Sequence, residues 1–400
     1  MFSGAGGLDL GFESAGFVSR VCVEMDKHCC ETLRSNRPTL KVLDSPIADV
    51  SSRDILATAS LSIKECDVLI GGPPCQPFSK AGYWSKGDTA RLDDPRADTL
   101  TQYMRVLEDT LPKAFLIENV SGLVYKGKDE GFRHIEDCLG KINRNRGVNY
   151  SLCWRVLNTA EYGVPQMRER TFLVGFRDGS IFRFPEPRFA PPDVAQNDFF
   201  RSPFRTAWDA IGDLPPEGPS DEKLHATGKW AELLPSIPEG ENYLWHTDRK
   251  PGQPLFGWRT RYWSFLLKLA KALPSWTIQA QPGSAIGPFH WNNRRLSRTE
   301  MQRIQTFPDG FTVLGSRVEV QRQLGNAVPS LMAEVLAVSI REQLAGQSCQ
   351  GAELKLLPPE RRPVPEQEKV GPVAKKYRHL SGNHAQHPGT GKGPRAIANR

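Results

Sequence analysis

Apolar and polar positions alternate along the first 176 residues in two rhythms. Short continuous apolar runs at 18–24, 67–71, 114–118 and 171–176 predict buried strands. Between them, apolar residues recur at helical spacing over 8–15, 27–35, 99–111 and 132–145. Strands alternating with helices predict an α/β fold: a Rossmann-like, mostly parallel sheet with helices on both faces. Ligands of such sheets sit at the carboxyl ends of the strands, so the loops that follow strands are where chemistry is expected.

From 177 to 291 this rhythm is lost. Prolines cluster at 185, 187, 191, 192, 215 and 216, and seven of the nine tryptophans fall here, at 208, 230, 245, 258, 263, 276 and 291. The stretch is expected to form a smaller, irregular second domain. Helical spacing returns at 297–306 and 329–344, and Ser297 with Glu300 makes a capping box for the first of these. Residues 292–345 are accordingly expected to be a C-terminal segment that packs back on the first domain. Beyond it, 346–400 is rich in Pro, Gly, Lys, Arg and His and is expected to be a basic, disordered tail.

Composition narrows the class. Net charge is +7, with a sequence pI near 9.0, which suits a polyanionic partner without requiring one. No uninterrupted apolar run approaches the length of a membrane span, and no basic-then-apolar leader opens the chain, so a cytoplasmic protein with no membrane contact is expected. The eight cysteines form no CxxC pair and no zinc spacing, so no metal site is expected.

Residues 2–7, Phe-Ser-Gly-Ala-Gly-Gly, lead directly into a helix. Glycines there allow a tight turn and close approach of a ligand to the helix N-terminus. Glu24 ends the following strand, at the spacing where a carboxylate binds ribose hydroxyls. These features fit a dinucleotide or S-adenosylmethionine equally, and a structural turn with a surface glutamate would leave the same trace. A strand normally precedes such a loop, yet only Met1 and Phe2 do, so the true start is expected to lie upstream.

The stretch 67–79 reads Asp-Val-Leu-Ile-Gly-Gly-Pro-Pro-Cys-Gln-Pro-Phe-Ser, an apolar strand entering a proline-stiffened loop. Cys75 on that loop is placed as a nucleophile rather than as a space-filling side chain. Glu118 closes another apolar strand, at the same sheet edge, where a carboxyl can hold a proton and bond a ring nitrogen. Gln166, Arg168 and Arg170 alternate along an incipient strand and share one side of it.

Taken in order, these segments resemble the motifs of the DNA cytosine-5 methyltransferase family. They are Phe-Ser-Gly-Ala-Gly-Gly (2–7), Glu24, Asp49, Gly-Pro-Pro-Cys-Gln (72–76), Glu-Asn-Val (118–120) and Gln-Met-Arg-Glu-Arg (166–170). Near the C-terminus follow Arg-Arg-Leu-Ser-x-x-Glu-Met-Gln-Arg-Ile-Gln-x-Phe-Pro (294–308) and Gln-Leu-Gly-Asn-Ala-Val-Pro (323–329). The likeness covers residues 1 to about 345, with the irregular stretch where the family carries its target-recognition domain.

The resemblance implies methyl transfer from S-adenosylmethionine to C5 of a flipped-out cytosine in a specific duplex DNA sequence, through a covalent bond from Cys75 to C6. It implies Glu118 at N3 and the exocyclic amine, Arg170 at O2, and Arg168 and Gln166 supporting the loop and the DNA backbone. Cofactor contacts would come from Phe2, Gly4, Gly6, Gly7, Leu8, Glu24, Met25, Asp49, Pro73 and Asn326. Gln76 and Asn119 would line the substrate side. Arg259 and Arg261, interleaved with aromatic residues, are candidate DNA contacts, although the aromatic residues also suit a domain core. The basic tail would be a DNA tether or a solvated end.

The resemblance further implies a prokaryotic modification enzyme, monomeric, that protects host DNA from a restriction endonuclease acting on the same site without stable binding. Three other readings stand beside it. A tRNA methyltransferase of this fold would not need so long a recognition segment. An inactive DNA-binding relative would not keep Cys75, Glu118, Arg168 and Arg170. A dehydrogenase would leave Cys75 without a task.

Overall fold

The computed structural model describes residues 1–74, 98–125, 127, 129–220, 222–258, 262–346 and 353–382. Cys75, Gln76, Arg259 and Arg261 lie outside the described residues.

The glycine loop opens into helix α1 (Gly7–Ser14), followed by strand β1 (Val21–Glu24), helix α2 (Lys27–Asn36), strand β2 (Lys41–Asp44) and helix α3 (Ser52–Ala59). Then come β3 (Val68–Gly71), α4 (Asp98–Thr110), β4 (Ala114–Val120), α5 (Glu130–Arg146), β5 (Cys153–Asn158), β6 (Gln166–Met167) and β7 (Glu169–Phe176). The four-stranded sheet has the order β3-β4-β7-β5. Strands β3 and β4 run parallel, whereas β7 is antiparallel to both its neighbours, β4 and β5.

Strands β1 and β2 pair in parallel as a sheet of their own. Met1 and Phe2 bridge the two sheets. The Met1 amino group donates to Ile70 O at 2.8 Å, and Phe2 N–H donates to Val23 O at 2.9 Å. A cavity of about 490 Å³ adjoins Met1, with Val21, Val23, Val68 and Ile70 in its wall.

The main sheet is apolar on both faces because side chains alternate along each strand. On β4, Phe115 and Ile117 join Leu100, Tyr103, Leu107 and Ile135 on one face. Ala114 and Leu116 join Phe12, Phe172, Val174 and residues of the last long helix on the other.

In the second half, β8 (Phe189–Ala190) pairs with β9 (Ser202–Pro203), and β10 (Ser275–Trp276) pairs in parallel with β6. Helices α6 (Arg298–Ile304), α7 (Arg317–Asn326) and α8 (Ser330–Ala345) follow. Packing does not break at residue 291. One buried cluster runs from Ala207, Ile211, Ile278 and Trp291 into Met301, Ile304 and Leu324, and reaches Ala5 of the glycine loop. Helix α8 lies against α1 at Gly7 and Gly11. A Cβ on Gly7 would come within 2.2 Å of Val328 O, and one on Gly11 within 2.4 Å of Ala333 Cβ.

Among the described residues, the run Arg317–Ala345 has the length and apolarity of a membrane span, but its most apolar window is 83% buried inside the protein. It is a core element, interrupted by Pro329.

The tail departs from expectation. Residues 353–382 form a strap over the body of the protein rather than a disordered end. Leu354, Leu356 and Leu357 pack on the second core face, and the Glu334 carboxylate accepts the Lys355 and Leu356 N–H groups. Further on, Tyr377 is buried and stacks on Trp230 at 5.6 Å, while Gly371 N–H donates to Pro235 O. Composition does not announce the strap, because three leucines near its start, backbone hydrogen bonds and one aromatic anchor suffice to hold it.

The tryptophans of the irregular stretch divide. Trp291 is buried, Trp230 and Trp245 are partly buried in an aromatic cluster, and Trp263 and Trp276 are exposed.

Candidate active site

The carboxyl ends of β1, β3 and β4 open on one cavity of about 600 Å³. Its wall carries Phe2, Gly4, Gly7, Leu8, Glu24 and Met25 from the first βα unit, and Gly72, Pro73 and Pro74 from the loop after β3. Glu118 and Asn119 come from the end of β4, Arg170 from the start of β7, and Asn326 from the end of α7. Of the predicted cofactor residues, Gly6 and Asp49 do not reach it. Gly6 is the left-handed N-cap of α1, with φ 85°, so its part is the turn itself. Asp49 is exposed and ends a short 3-10 turn whose Ile47 and Ala48 line the wall in its place.

Glu24 organises the loop end. One carboxylate oxygen accepts Gly4 N–H at 2.8 Å, and the other accepts Met25 and Asp26 N–H at 2.9 and 2.8 Å. Gly4 itself has φ 53° and open space where a Cβ would be, so the backbone there faces the cavity uncovered.

At the other end Glu118 is 8% exposed, with Arg170 Nε 2.9 Å from its carboxylate. Burial is the largest influence on Glu118 and raises its pKa above the usual carboxylate value; the Arg170 and Arg168 charges offset part of that rise. Gly72 passes so near that a Cβ would be 3.1 Å from the Glu118 carboxylate. Asn119 Nδ2 donates to Pro73 O at 3.1 Å, and Thr99 Oγ1 donates to Pro74 O at 3.0 Å, so two side chains pin the loop that leads into Cys75.

Gln166 and Arg168 are not where a DNA contact would be. They are 0% and 1% exposed and lie behind the cavity wall. Arg168 Nη2 donates to Gly325 O at 2.8 Å, and burial is the main cause pushing its guanidinium pKa down. The alternation of 166, 168 and 170 therefore divides into two buried supports and one cavity residue, because strand pairing is interrupted at Arg168 between β6 and β7.

Asp26 and Arg322 were not anticipated. Asp26 caps α2 and pairs with Arg322 of α7 at 2.9 Å, at the cavity wall. Partial burial works to raise the Asp26 pKa, but hydrogen bonds from Arg322 and Cys29 N–H outweigh it and hold the carboxyl below its usual range. Its place two residues after Glu24, just before a helical run, was the available signal.

The order of strands, the antiparallel β7 and a cavity closed by a glycine loop and a C-terminal helix define a Rossmann-like α/β enzyme of the methyltransferase type. Solved structures agree on that fold. A prophage-encoded candidate DNA modification methyltransferase of E. coli aligns over 86% of this chain and 98% of its own, with TM-score 0.62 at 22% identity. The Dnmt2 methyltransferase of S. pombe aligns over 86% and 96%, with TM-score 0.52 at 18% identity.

Residues 1–342 match the family of C-5 cytosine-specific DNA methylases, and the chain belongs to that family. It is a DNA cytosine-5 methyltransferase. Among curated relatives, the Type II methyltransferase M.SacI of Streptomyces achromogenes is 40% identical over 86% of this chain and 92% of its own length. M1.HphI of Haemophilus parahaemolyticus is 32% identical over 85% of both.

Proposed function

We propose that the 600 Å³ cavity takes S-adenosylmethionine at its glycine-loop end and a flipped cytosine at its Glu118 end. The observation that carries this is the single cavity joining Glu24 and the uncovered Gly4 backbone to the buried Glu118–Arg170 pair. Its volume is in the range of small-molecule sites. The residues present fit the cofactor: Glu24 would hold the ribose hydroxyls, Phe2 would contact the adenine, and Gly7 and Leu8 at the start of α1 would hold the methionine part, all four lining the cavity. When bound, the cofactor supplies an electrophilic methyl group on a sulfonium.

Cytosine C5 is too weak a nucleophile to take that methyl unaided. The Cys75 thiolate adds to C6, which makes C5 nucleophilic. Glu118, whose burial favours the protonated acid, donates to N3 as the ring gains electron density, and Arg170 binds O2. After transfer, water takes the C5 proton, the C5–C6 double bond re-forms as the Cys75 thiolate is expelled, and N3 returns its proton to Glu118. Because the target carbon lies inside the duplex, the nucleotide leaves the stack first.

The substrate is a specific duplex DNA sequence, with Arg259 and Arg261 as recognition contacts. By analogy with the Type II relatives, the role is protection of host DNA in a restriction–modification system, by a cytoplasmic monomer that needs no stable complex with the endonuclease.

The test is incubation with S-adenosylmethionine and duplex DNA carrying 5-fluorocytosine in many sequence contexts. Fluorine cannot leave C5 as a cation, so the enzyme should stall as an adduct mapping to Cys75. The trapped DNA would identify the recognised sequence. An active preparation that forms no adduct would remove the covalent route.

A further inference from the structure

Three stretches meet behind the cavity wall. They are the β6–β7 arm that carries Arg170, the return from the recognition region at Ile278, and the end of α7, where Gly325 and Asn326 line the cavity. Buried polar side chains tie them together. Gln166 Nε2 donates to Gln305 Oε1 at 2.9 Å, and Gln305 Nε2 donates to Leu324 O. Ile278 N–H donates to Gln166 Oε1 at 3.0 Å, while Arg168 joins Gly325 O to Ile278 O. Gln166 and Gln305 are both 0% exposed. In such a dry network each bond is strong and a broken one is left without water to replace it.

Gln305 is more than a bystander in the core. The next residue, Thr306, has φ 57°, a left-handed conformation that β-branched residues rarely adopt. Backbone strain of this kind persists only where the surroundings over-determine it. Here they do: Gln305 O accepts Ser330 N–H at 3.1 Å, and Thr306 Oγ1 accepts Leu331 N–H at 2.9 Å. One dipeptide therefore fixes the first turn of α8, the last turn of α7 and the start of the Arg170 arm.

We propose that Gln305 is a positioning residue that couples filling of the cofactor cavity to the placement of Arg170 against the target base. The inference rests on the cofactor assignment above. A ligand bearing on Gly325 and Asn326 sets the Leu324–Gly325 peptides. Those carbonyls are held by Gln305 and by Arg168, and Gln305 in turn holds Gln166, four residues before Arg170. Cofactor occupancy and base binding then favour the same arrangement of one hydrogen-bonded unit. Linkage requires that cofactor tightens DNA binding and that DNA tightens cofactor binding by the same factor.

The experiment measures wild-type affinity for a target duplex with and without S-adenosylhomocysteine, then repeats it for Gln305→Met, which keeps length and removes both hydrogen bonds. Wild type should show an enhancement, and the variant should lose about tenfold of it, within the usual span of such couplings. The KM for S-adenosylmethionine should rise by a larger factor than kcat falls. Gln166→Met breaks the same bond from the other side and serves if Gln305→Met folds poorly. The double variant should lose no more coupling than either single one, as expected of residues acting as a unit. Lower melting temperatures with an unchanged coupling factor would make Gln305 merely structural and overturn the inference. Wild type that binds S-adenosylhomocysteine without tightening on DNA would overturn it alone, whereas failure to bind S-adenosylhomocysteine would overturn the cofactor assignment with it.

Discussion

Glu118 and Arg170 meet diagonally across the antiparallel β4–β7 pair, where Glu118 is opposite Phe172 and Arg170 opposite Val120, with the carboxylate oxygen 2.9 Å from the guanidinium Nε in the cavity wall. The pair is largely dry, so its protonation is set by two opposing effects. Burial favours the neutral acid, and the adjacent cation favours the carboxylate; burial wins. In its acid form, the carboxyl beside this fixed cation offers two donors to the N3–O2 edge of a cytosine.

Replacing Glu118 with Gln should slow single-turnover methyl transfer by roughly 10²–10⁴-fold, the range for a lost acid catalyst. The pH dependence is the sharper readout. Since the Glu118 pKa lies above the usual value, the acid form is lost as pH rises through that raised value. Wild type should therefore show a descending alkaline limb, and Glu118→Gln should lack it. An unchanged limb in the variant would assign that titration to another group.

Glu24 accepts three backbone N–H groups as well as facing the cavity, so its loss should act twice. Glu24→Ala should weaken S-adenosylhomocysteine binding at least tenfold by calorimetry. It should also lower stability by about 1–3 kcal/mol through the unsatisfied donors. Loss of affinity with an unchanged denaturation midpoint would show that the loop holds its turn without the carboxylate.

Gly7→Ala tests how closely α8 must approach the cofactor loop. The added methyl would meet Val328 O at 2.2 Å, and backbone cannot swing aside as a side chain does. Destabilisation of about 1–3 kcal/mol is expected, as for an overpacked core, with weaker cofactor binding as Asn326 shifts. A fully stable variant with normal affinity would mean that the helix can retreat at no cost.

Much of this was legible before any coordinates. Strands β3, β4 and β7 and the long helices announce themselves because the sheet is buried on both faces and leaves unbroken apolar runs. Strand β2 does not, since Lys41 and Asp44 are exposed at its ends and only Val42 and Leu43 between them are partly buried. Edge strand β5 exposes Trp154 and Arg155 and so shows no clean alternation. Helix α7 hides among charges, with Val320 and Leu324 its buried apolar anchors. The cavity residues lie on loops after strands, where the fold rule points, but Gln305 stands out only as a letter of a motif, because a lone buried amide leaves no pattern in one dimension. Its partners lie at positions 166 and 324.

The strap makes the last prediction, because it contradicts what its composition suggests. Residues 353–382 cross from Glu334 of α8 to the irregular stretch, at Asp209, Lys271, Pro235 and Trp230. Ending the chain at residue 352 should uncover the surface beneath Leu354, Leu356 and Leu357 and leave the buried Lys271 with Glu239 as its remaining ionic partner. Tyr377→Ala alone, which empties a buried aromatic site, should cost about 2–4 kcal/mol. Ending the chain at residue 382 keeps every one of these contacts and is the reference against which the shorter chain is compared. If the strap served only as a DNA tether, the chain ending at 352 would melt like the full-length protein and lose affinity for DNA alone. If it belongs to the fold, that truncation should lower the melting temperature in the absence of DNA, and Tyr377→Ala should reproduce part of the loss.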